Sequence, residues 1–252
     1  MTSTMRDRLY AGQTMVFGHR GASADAPMNT IPAFELAATY GAEGVELDIH
    51  GTADGYAVVI HDRTVDATTD GSGYVNRMNL KQLRRLDAGA WKDARFAGTR
   101  IPTLDEVFEA VGQRLLINVE IKAYGLGTDG IEQHAADIIR RHRMESRVIV
   151  SSFNPLALRR FHRLLPDVPL GFLSEARTPA YVHLFTWRLP LAAQHPGVTM
   201  VTTDYIRRAQ ARRRAINTWT VNDAAQARML RDMGVAIIIT DQPDVIRAGL
   251  MN

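Results

Sequence analysis

Short runs rich in Val, Ile and Leu recur along this chain, each ending where polarity rises and each separated from the next by a stretch with helical spacing. Residues 15–20, 44–49, 115–121, 147–153, 170–174, 198–203, 216–221 and 235–240 read as such strands. Strands separated by helices are joined by crossovers and lie parallel. Eight such units in 252 residues predict a closed (β/α)8 TIM barrel. A doubly wound open sheet is the alternative, but no Gly-x-Gly-x-x-Gly turn follows the first strand. Thr30 is placed to cap the first helix and Pro32 suits its first turn; Thr103 is placed to cap another through Val111. Further helices are expected to about Arg143, from Pro155, and around residues 181–187, 205–213 and 223–233. Residues 63–100 break the rhythm with Gly-punctuated polar sequence and one helical piece near Leu80, and read as a small insertion after the second strand. Residues 1–252 are thus expected to form one barrel domain.

The composition narrows the class of protein. No run approaches the ~18 apolar residues of a membrane span, and residues 1–6 lack the apolar segment of a secretory leader, so a cytoplasmic location is expected. Without cysteine there is no disulfide, thiolate metal site or Cys nucleophile. A net charge of +3, with no Arg-rich tail or basic stretch interleaved with aromatics, does not favour nucleic acid as a partner.

Barrel enzymes work at the carboxyl ends of their strands. Those ends here carry His19 and Arg20, Glu46 and Asp48, Glu120 and Lys122, Ser151 and Ser152, Glu175, Thr203 and Asp204, Trp219 and Asn222, and Asp241. Ser151, Glu175, Asp204 and Asp241 read individually as loop, cap or structural residues, because loop starts favour such side chains. Glu46 and Asp48 stand two apart, so both project to one face of their strand, with Val45 and Leu47 on the other. The Asp54-Gly55 pair marks a tight hairpin that folds residues 57–60 back and brings His61 about level with Asp48. A solvated strand alternates in the same way. The apolar flanks argue instead for interior strands, where carboxylates are costly unless paired or metal-bound.

Glu120 and Lys122 repeat the two-residue spacing on the next barrel strand. Three carboxylates without thiolate or imidazole ligands select a hard cation, Mg²⁺ or Ca²⁺; an internal Glu120–Lys122 ion pair is the competing reading. Arg20 and Lys122 beside such a cation would suit a phosphate. His19 and His61 supply one group to remove a proton and one to donate it.

The motifs Phe17-Gly18-His19-Arg20-Gly21-Ala22, Asn29-Thr30, Val45-Glu46-Leu47-Asp48, Asp54-Gly55, His61-Asp62, Thr68 to Gly73, Leu86-Asp87-Ala88-Gly89, Ile101-Pro102-Thr103-Leu104 and Trp219-Thr220-Val221-Asn222 resemble, in order and spacing, the glycerophosphodiester phosphodiesterase family. The resemblance runs from about residue 16 to Pro243. It implies a barrel with a small insertion after the second strand, a metal at Glu46, Asp48 and Glu120, acid/base chemistry at His19 and His61, and phosphate contacts at Arg20 and Lys122. Trp219 would line the pocket against the glycerol carbons, with barrel-mouth packing as its alternative role. The implied reaction hydrolyses a glycerophosphodiester, a small-molecule substrate, to glycerol 3-phosphate and an alcohol; the residues themselves suggest a route in which the metal and one His activate the glycerol 2-hydroxyl for attack on phosphorus, the other His protonates the departing alkoxide, and water then opens the cyclic phosphate.

One position departs from the family pattern: Met28 stands where a Glu usually precedes the Asn-Thr pair, so altered loop order or substrate preference is expected. Two other functions fit the same barrel. Residues 181–187, with Leu189 and Leu191, could present an apolar surface to a lysophospholipid, giving lysophospholipase D activity, although an outer helix with its apolar face turned inward is the expected arrangement. Arg207, Arg208, Arg212, Arg213 and Arg214 could likewise meet anionic headgroups, a solvated helix face being favoured over peripheral membrane contact. A phosphodiester-binding module without catalysis is the third reading. Headgroup preference and oligomeric state are not encoded in any motif found.

Overall fold

The chain runs through α1 (Met5–Leu9), β1 (Met15–His19), α2 (Ile31–Thr39), β2 (Gly44–Gly51), β3 (Ala57–Val59), α3 (Leu80–Leu83), α4 (Leu104–Val111), β4 (Leu116–Ile121), α5 (Ile131–Arg141), β5 (Val148–Ser152), α6 (Pro155–Leu164), β6 (Leu170–Ser174), α7 (Ala180–Phe185), β7 (Leu191–Pro196), α8 (Thr203–Gln210), β8 (Ala215–Thr218), α9 (Ala224–Asp232), β9 (Ile237–Thr240) and α10 (Pro243–Met251). The computed structural model describes residues 3–251; of the amino-terminal stretch read above, Met1 and Thr2 lie outside the described residues, as does Asn252. Every strand but β3 is parallel to its neighbours, in the order β1-β9-β8-β7-β6-β5-β4-β2, and β2 pairs with β1 to close the ring. This is the (β/α)8 barrel expected from the alternation. β3 is the hairpin arm, antiparallel to the end of β2 with Ile49 opposite Val59.

Parallel barrel strands are covered on both faces, which is why they read as continuous apolar runs. In β4 all six residues are buried. Ile117, Val119 and Ile121 join the core between strands and outer helices with Val107, Ile139 and Leu158, whereas Leu116 turns into the barrel with Met15, Phe17, Ile149 and Ile237. Asn118 and Glu120 share the Leu116 side and so climb the interior toward the carboxyl-terminal mouth. Met5 and Leu9 of α1 belong to the inner cluster and close its lower end. Between β3 and α4, Val58, Ile60, Val65, Val75, Leu83, Ala88 and Ile101 form a small separate core. Asp54 at the hairpin accepts the Leu80 N–H at 3.0 Å and so ties α3 to it.

The sixth barrel strand is not where the alternation placed it. Residues 198–203 contain a 3-10 turn (Val198–Met200) and the start of α8, and the strand is β7. Its inward positions are Ala193 and His195, not large apolar residues, so the run lacks the signal of a barrel strand. Thr203 and Asp204 therefore leave the mouth, and Asp204 is an exposed partner of Arg207. Thr30 stands at the N-cap of α2, but its hydroxyl donates to the Pro27 carbonyl at 2.6 Å and caps nothing. Thr103 does cap α4, in a reciprocal pair with Glu106. α7 departs in part from expectation: none of its residues is fully buried, and its inward apolar contact with the core is Val182, while Tyr181, Leu184 and Phe185 are exposed. Among the described residues no helix is long and apolar enough to cross a membrane.

Candidate active site

Strand register assembles the acidic cluster. Asp48 lies beside Glu120, Glu46 beside Asn118, and His19 beside Glu46, so residues distant in sequence reach one level of the mouth. Ligand oxygens of Glu46, Asp48 and Glu120 lie within 4.8 Å of one another, in residues only 5, 1 and 6 % exposed. Three carboxylates this close and this dry cannot all hold charge without cations nearby. Lys122 Nζ is 2.6 Å from Glu120 Oε1 and 2.9 Å from Asp48 Oδ1, so the ion pair weighed as the competing reading does form. Arg20 Nε adds a longer contact, 3.4 Å from Asp48 Oδ2.

These cations are unevenly shared. Burial pushes Asp48 up, but Lys122, Arg20 and His61 together outweigh it and hold this carboxyl well below the usual range. Glu120 is pushed up to about 7 by burial, with Asp48 adding to the rise and Lys122 opposing it. Glu46 is driven well above the ordinary carboxylate range by burial and then by Asp48 and Glu120. Its Oε2 accepts the Arg20 backbone N–H at 3.1 Å, and it has no ion pair among the described residues. The cluster thus has room for more positive charge at Glu46, and its all-oxygen donor set fits a hard divalent cation.

Each of the two histidines is held by a carboxylate. His19 Nδ1 is 2.7 Å from Asp241 Oδ1, which also accepts from the Ser23 hydroxyl at 3.0 Å; Asn222 donates to Asp241 Oδ2 at 2.7 Å. Against the upward push of burial, these partners hold Asp241 down to about 2. His61 Nδ1 is 2.7 Å from Asp62. Burial lowers the His61 pKa, and the charge on Asp48 offsets part of that fall. With each Nδ1 donating to a carboxylate, Nε2 is the nitrogen left for proton exchange. His50, two residues beyond Asp48, donates from Nε2 to the His61 carbonyl at 3.0 Å and ties down the hairpin end.

Arg20, Lys122 and both histidines thus gather around the acidic cluster. Trp219 Nε1 donates to the His195 carbonyl at 3.0 Å, and its ring meets Phe153 edge-on at 5.8 Å. Two contributors have no periodic signal. Asn29, in a loop at φ +60°, donates to Asp48 Oδ2 at 2.8 Å and accepts the Asp48 N–H at 3.3 Å. Asp241 stands at a strand end, where a loop or cap residue is expected, yet it reaches across to His19, a contact that no local spacing encodes. Met28 accepts from Arg20 Nη1 at 3.2 Å. A thioether is a weak acceptor, so it holds the guanidinium less tightly than a carboxylate would. Two cavities share Lys122 and Tyr124: one of about 570 Å³ walled largely by apolar side chains, and one of about 520 Å³ that includes His50, Arg63 and Arg77.

Residues 19–245 match the glycerophosphoryl diester phosphodiesterase family. The chain is 38 % identical to a glycerophosphodiester phosphodiesterase of Caldanaerobacter subterraneus over 93 % of its length and 96 % of that protein. It is 35 % identical to one from Bacillus altitudinis, covering 92 % and 96 % of the two chains. Among solved structures it is similar to an Oleispira antarctica phosphodiesterase in complex with the product sn-glycerol-3-phosphate, with TM-score 0.87 and 28 % identity over 97 % of this chain and 99 % of that one. The chain therefore belongs to the glycerophosphoryl diester phosphodiesterase family.

Proposed function

We propose that this chain is a metal-dependent glycerophosphodiester phosphodiesterase that releases sn-glycerol 3-phosphate and an alcohol by paired-histidine acid/base catalysis. The observation that carries the reading is the meeting, at one barrel mouth, of a buried three-carboxylate cluster with two histidines that each rest on a carboxylate. Glu46, Asp48 and Glu120 would hold the divalent cation, Mg²⁺ or Ca²⁺, which when bound supplies Lewis-acid polarisation of phosphate and hydroxyl oxygens.

The remaining chemistry belongs to the chain's own groups. Lys122 has three ammonium protons and two carboxylate partners, which leaves it a donor for a phosphate oxygen. Arg20, loosely held between Asp48 and Met28, brings a guanidinium fork to the same phosphate. One histidine Nε2 takes the proton of the glycerol 2-hydroxyl as its oxygen attacks phosphorus, and the other protonates the departing alkoxide. The same pair, with roles exchanged, then admits water to the cyclic phosphate. Trp219 covers the glycerol carbons.

The test is release of glycerol 3-phosphate from glycerophosphoglycerol and glycerophosphoethanolamine with and without divalent cations. Turnover should require the cation, and His19→Ala and His61→Ala should each lower kcat by about 10²-fold or more. Absence of turnover with every divalent cation tried would favour the binding module, and a His61→Ala enzyme with unchanged turnover would remove that residue from the mechanism.

A further inference from the structure

The smaller of the two cavities at the mouth is lined by cations that the chemistry described so far does not use. It measures about 520 Å³ and is walled by Arg63, Tyr74, Asn76 and Arg77 from the insertion and by Tyr124 and Asp129 from the loop after β4. Lys122 and His50 join it to the reaction site. Lys122 pairs with Asp48 and Glu120, and His50 donates to the His61 carbonyl.

Arg63 and Arg77 are presented in the same way. The Arg63 guanidinium lies over the Tyr124 ring at 3.4 Å and that of Arg77 over the Tyr74 ring at 5.0 Å, and both rings are half exposed. A guanidinium carries its N–H donors in its plane, so stacking occupies the face and leaves the donor edge for a ligand. Neither guanidinium has an ion pair among the described residues. The backbone that carries them is pinned: the Val75 N–H donates to the Arg63 carbonyl at 2.9 Å, and Thr64 pairs with Tyr74. Tyr124 is steadied in turn by stacking with His50, ring centroids 6.0 Å apart. The wall has one carboxylate, Asp129, whose Oδ1 accepts the Ile131 N–H at 3.2 Å. Two unpaired guanidiniums against one carboxylate leave the cavity net positive.

Ring order decides which part of a diester meets this cavity. In the function proposed above the glycerol carbons lie against Trp219, which follows β8. In the order β1-β9-β8-β7-β6-β5-β4-β2, closed by β2 and β1, the strand opposite β8 is β4, and the cavity opens at the end of β4. A phosphate held at Lys122 between the two would direct its departing alcohol here. We propose, resting on that function, that Arg63 and Arg77 select glycerophosphodiesters whose alcohol carries an anionic group, a carboxylate or a phosphate. Both anions accept the paired N–H donors of a guanidinium edge.

The test uses two substrate pairs that each differ by one anionic group. Glycerophosphoserine against glycerophosphoethanolamine isolates a carboxylate, and glycerophosphoinositol phosphate against glycerophosphoinositol isolates a phosphate. At low salt, wild-type kcat/KM should favour the anionic member of at least one pair by about fivefold or more, and the pair that shows it names the anion. Added salt should shrink that ratio, because exposed charges are screened beyond about 8–10 Å. The Arg63→Gln/Arg77→Gln double variant should bring the ratio to within about twofold of unity. Arg63→Gln also unstacks Tyr124, so Arg77→Gln alone, which changes an exposed contact within the insertion, is the second measure and should lower the ratio by about twofold or more. A wild-type ratio near unity in both pairs overturns the proposal. So does a ratio that Arg77→Gln and the double variant leave at the wild-type value, or one that salt does not change. Turnover of none of the four substrates refutes instead the phosphodiesterase function on which the proposal rests.

Discussion

Asp241 and Asn29 act on the proposed site through its principal residues, one behind His19 and the other against Asp48. Replacing Asp241 by Asn keeps the shape but removes the charge that steadies a protonated imidazole, and it lets the amide present NH₂ to Nδ1. By analogy with the aspartate of the Ser-His-Asp template, kcat should fall by about 10²-fold or more. KM should change by less than threefold, because Asp241 is not placed to touch substrate. Steady-state kinetics on a soluble diester decide the matter: a kcat within threefold of wild type would leave Asp241 a purely structural residue. The difference between these helpers and the main cluster explains what could be read in advance. Glu46, Asp48 and Glu120 were legible because a strand displays every second residue on one face, so a two-residue spacing carries geometric meaning. Asn29 sits in a loop whose shape comes from its left-handed backbone and its bonds to Arg20 and Asp48, and no local pattern encodes those.

β7 shows where element-scale reading failed and why. Leu-Ala-Ala-Gln-His-Pro has small and polar residues where a barrel strand ordinarily shows branched ones, because His195 fills the interior in place of an aliphatic side chain. Its neighbours are shaped for the ring. Asn217 Nδ2 donates to His195 Nε2 at 2.9 Å, and a Cβ on Gly171 would lie 2.2 Å from the same nitrogen. Gly171→Ala should therefore overpack the interior and cost about 1–3 kcal/mol, lowering Tm by several degrees in a thermal melt. Burial also pushes the His195 pKa down to about 3, whereas an unfolded histidine titrates near 6.5. Between those values the unfolded chain binds the extra proton, so this residue leaves stability unchanged above about pH 6.5 and lowers it as pH falls, by about 1.4 kcal/mol per pH unit. From pH 7 to 5 wild type should lose about 2 kcal/mol more than His195→Gln, whose amide oxygen can still accept from Asn217. Urea denaturation of both proteins at the two pH values measures the difference, and parallel losses would refute it.

For the whole molecule, the parallel pairing of β2 with β4 holds Glu46, Asp48 and Glu120 together, and the closing pair of β1 with β2 sets His19 beside them. The alternation of strand and helix made this fold legible despite the misplaced sixth strand, because the barrel depends on the number and hand of the repeats more than on any one boundary. That β2–β4 pairing also presses like charges together, and Lys122 and Arg20 engage Asp48 and Glu120 while Glu46 has no ion pair among the described residues. An unfolded chain does not assemble this donor set, so a cation bound at it stabilises only the folded barrel. At a free concentration of 100 times its Kd the gain is about 2.7 kcal/mol, which for a chain of this size raises Tm by about 5–10 °C. Calorimetry of protein treated with EDTA, before and after adding Mg²⁺ or Ca²⁺, should show that rise. Glu46→Gln separates metal binding from general salt effects: the amide relieves the repulsion, so Tm in EDTA should hold or increase, while the response to cation and the turnover should both be lost. A Glu46→Gln protein whose Tm still climbs with the cation as wild type does would mean that the ion binds elsewhere and that the acidic cluster is balanced by Lys122 and Arg20 alone.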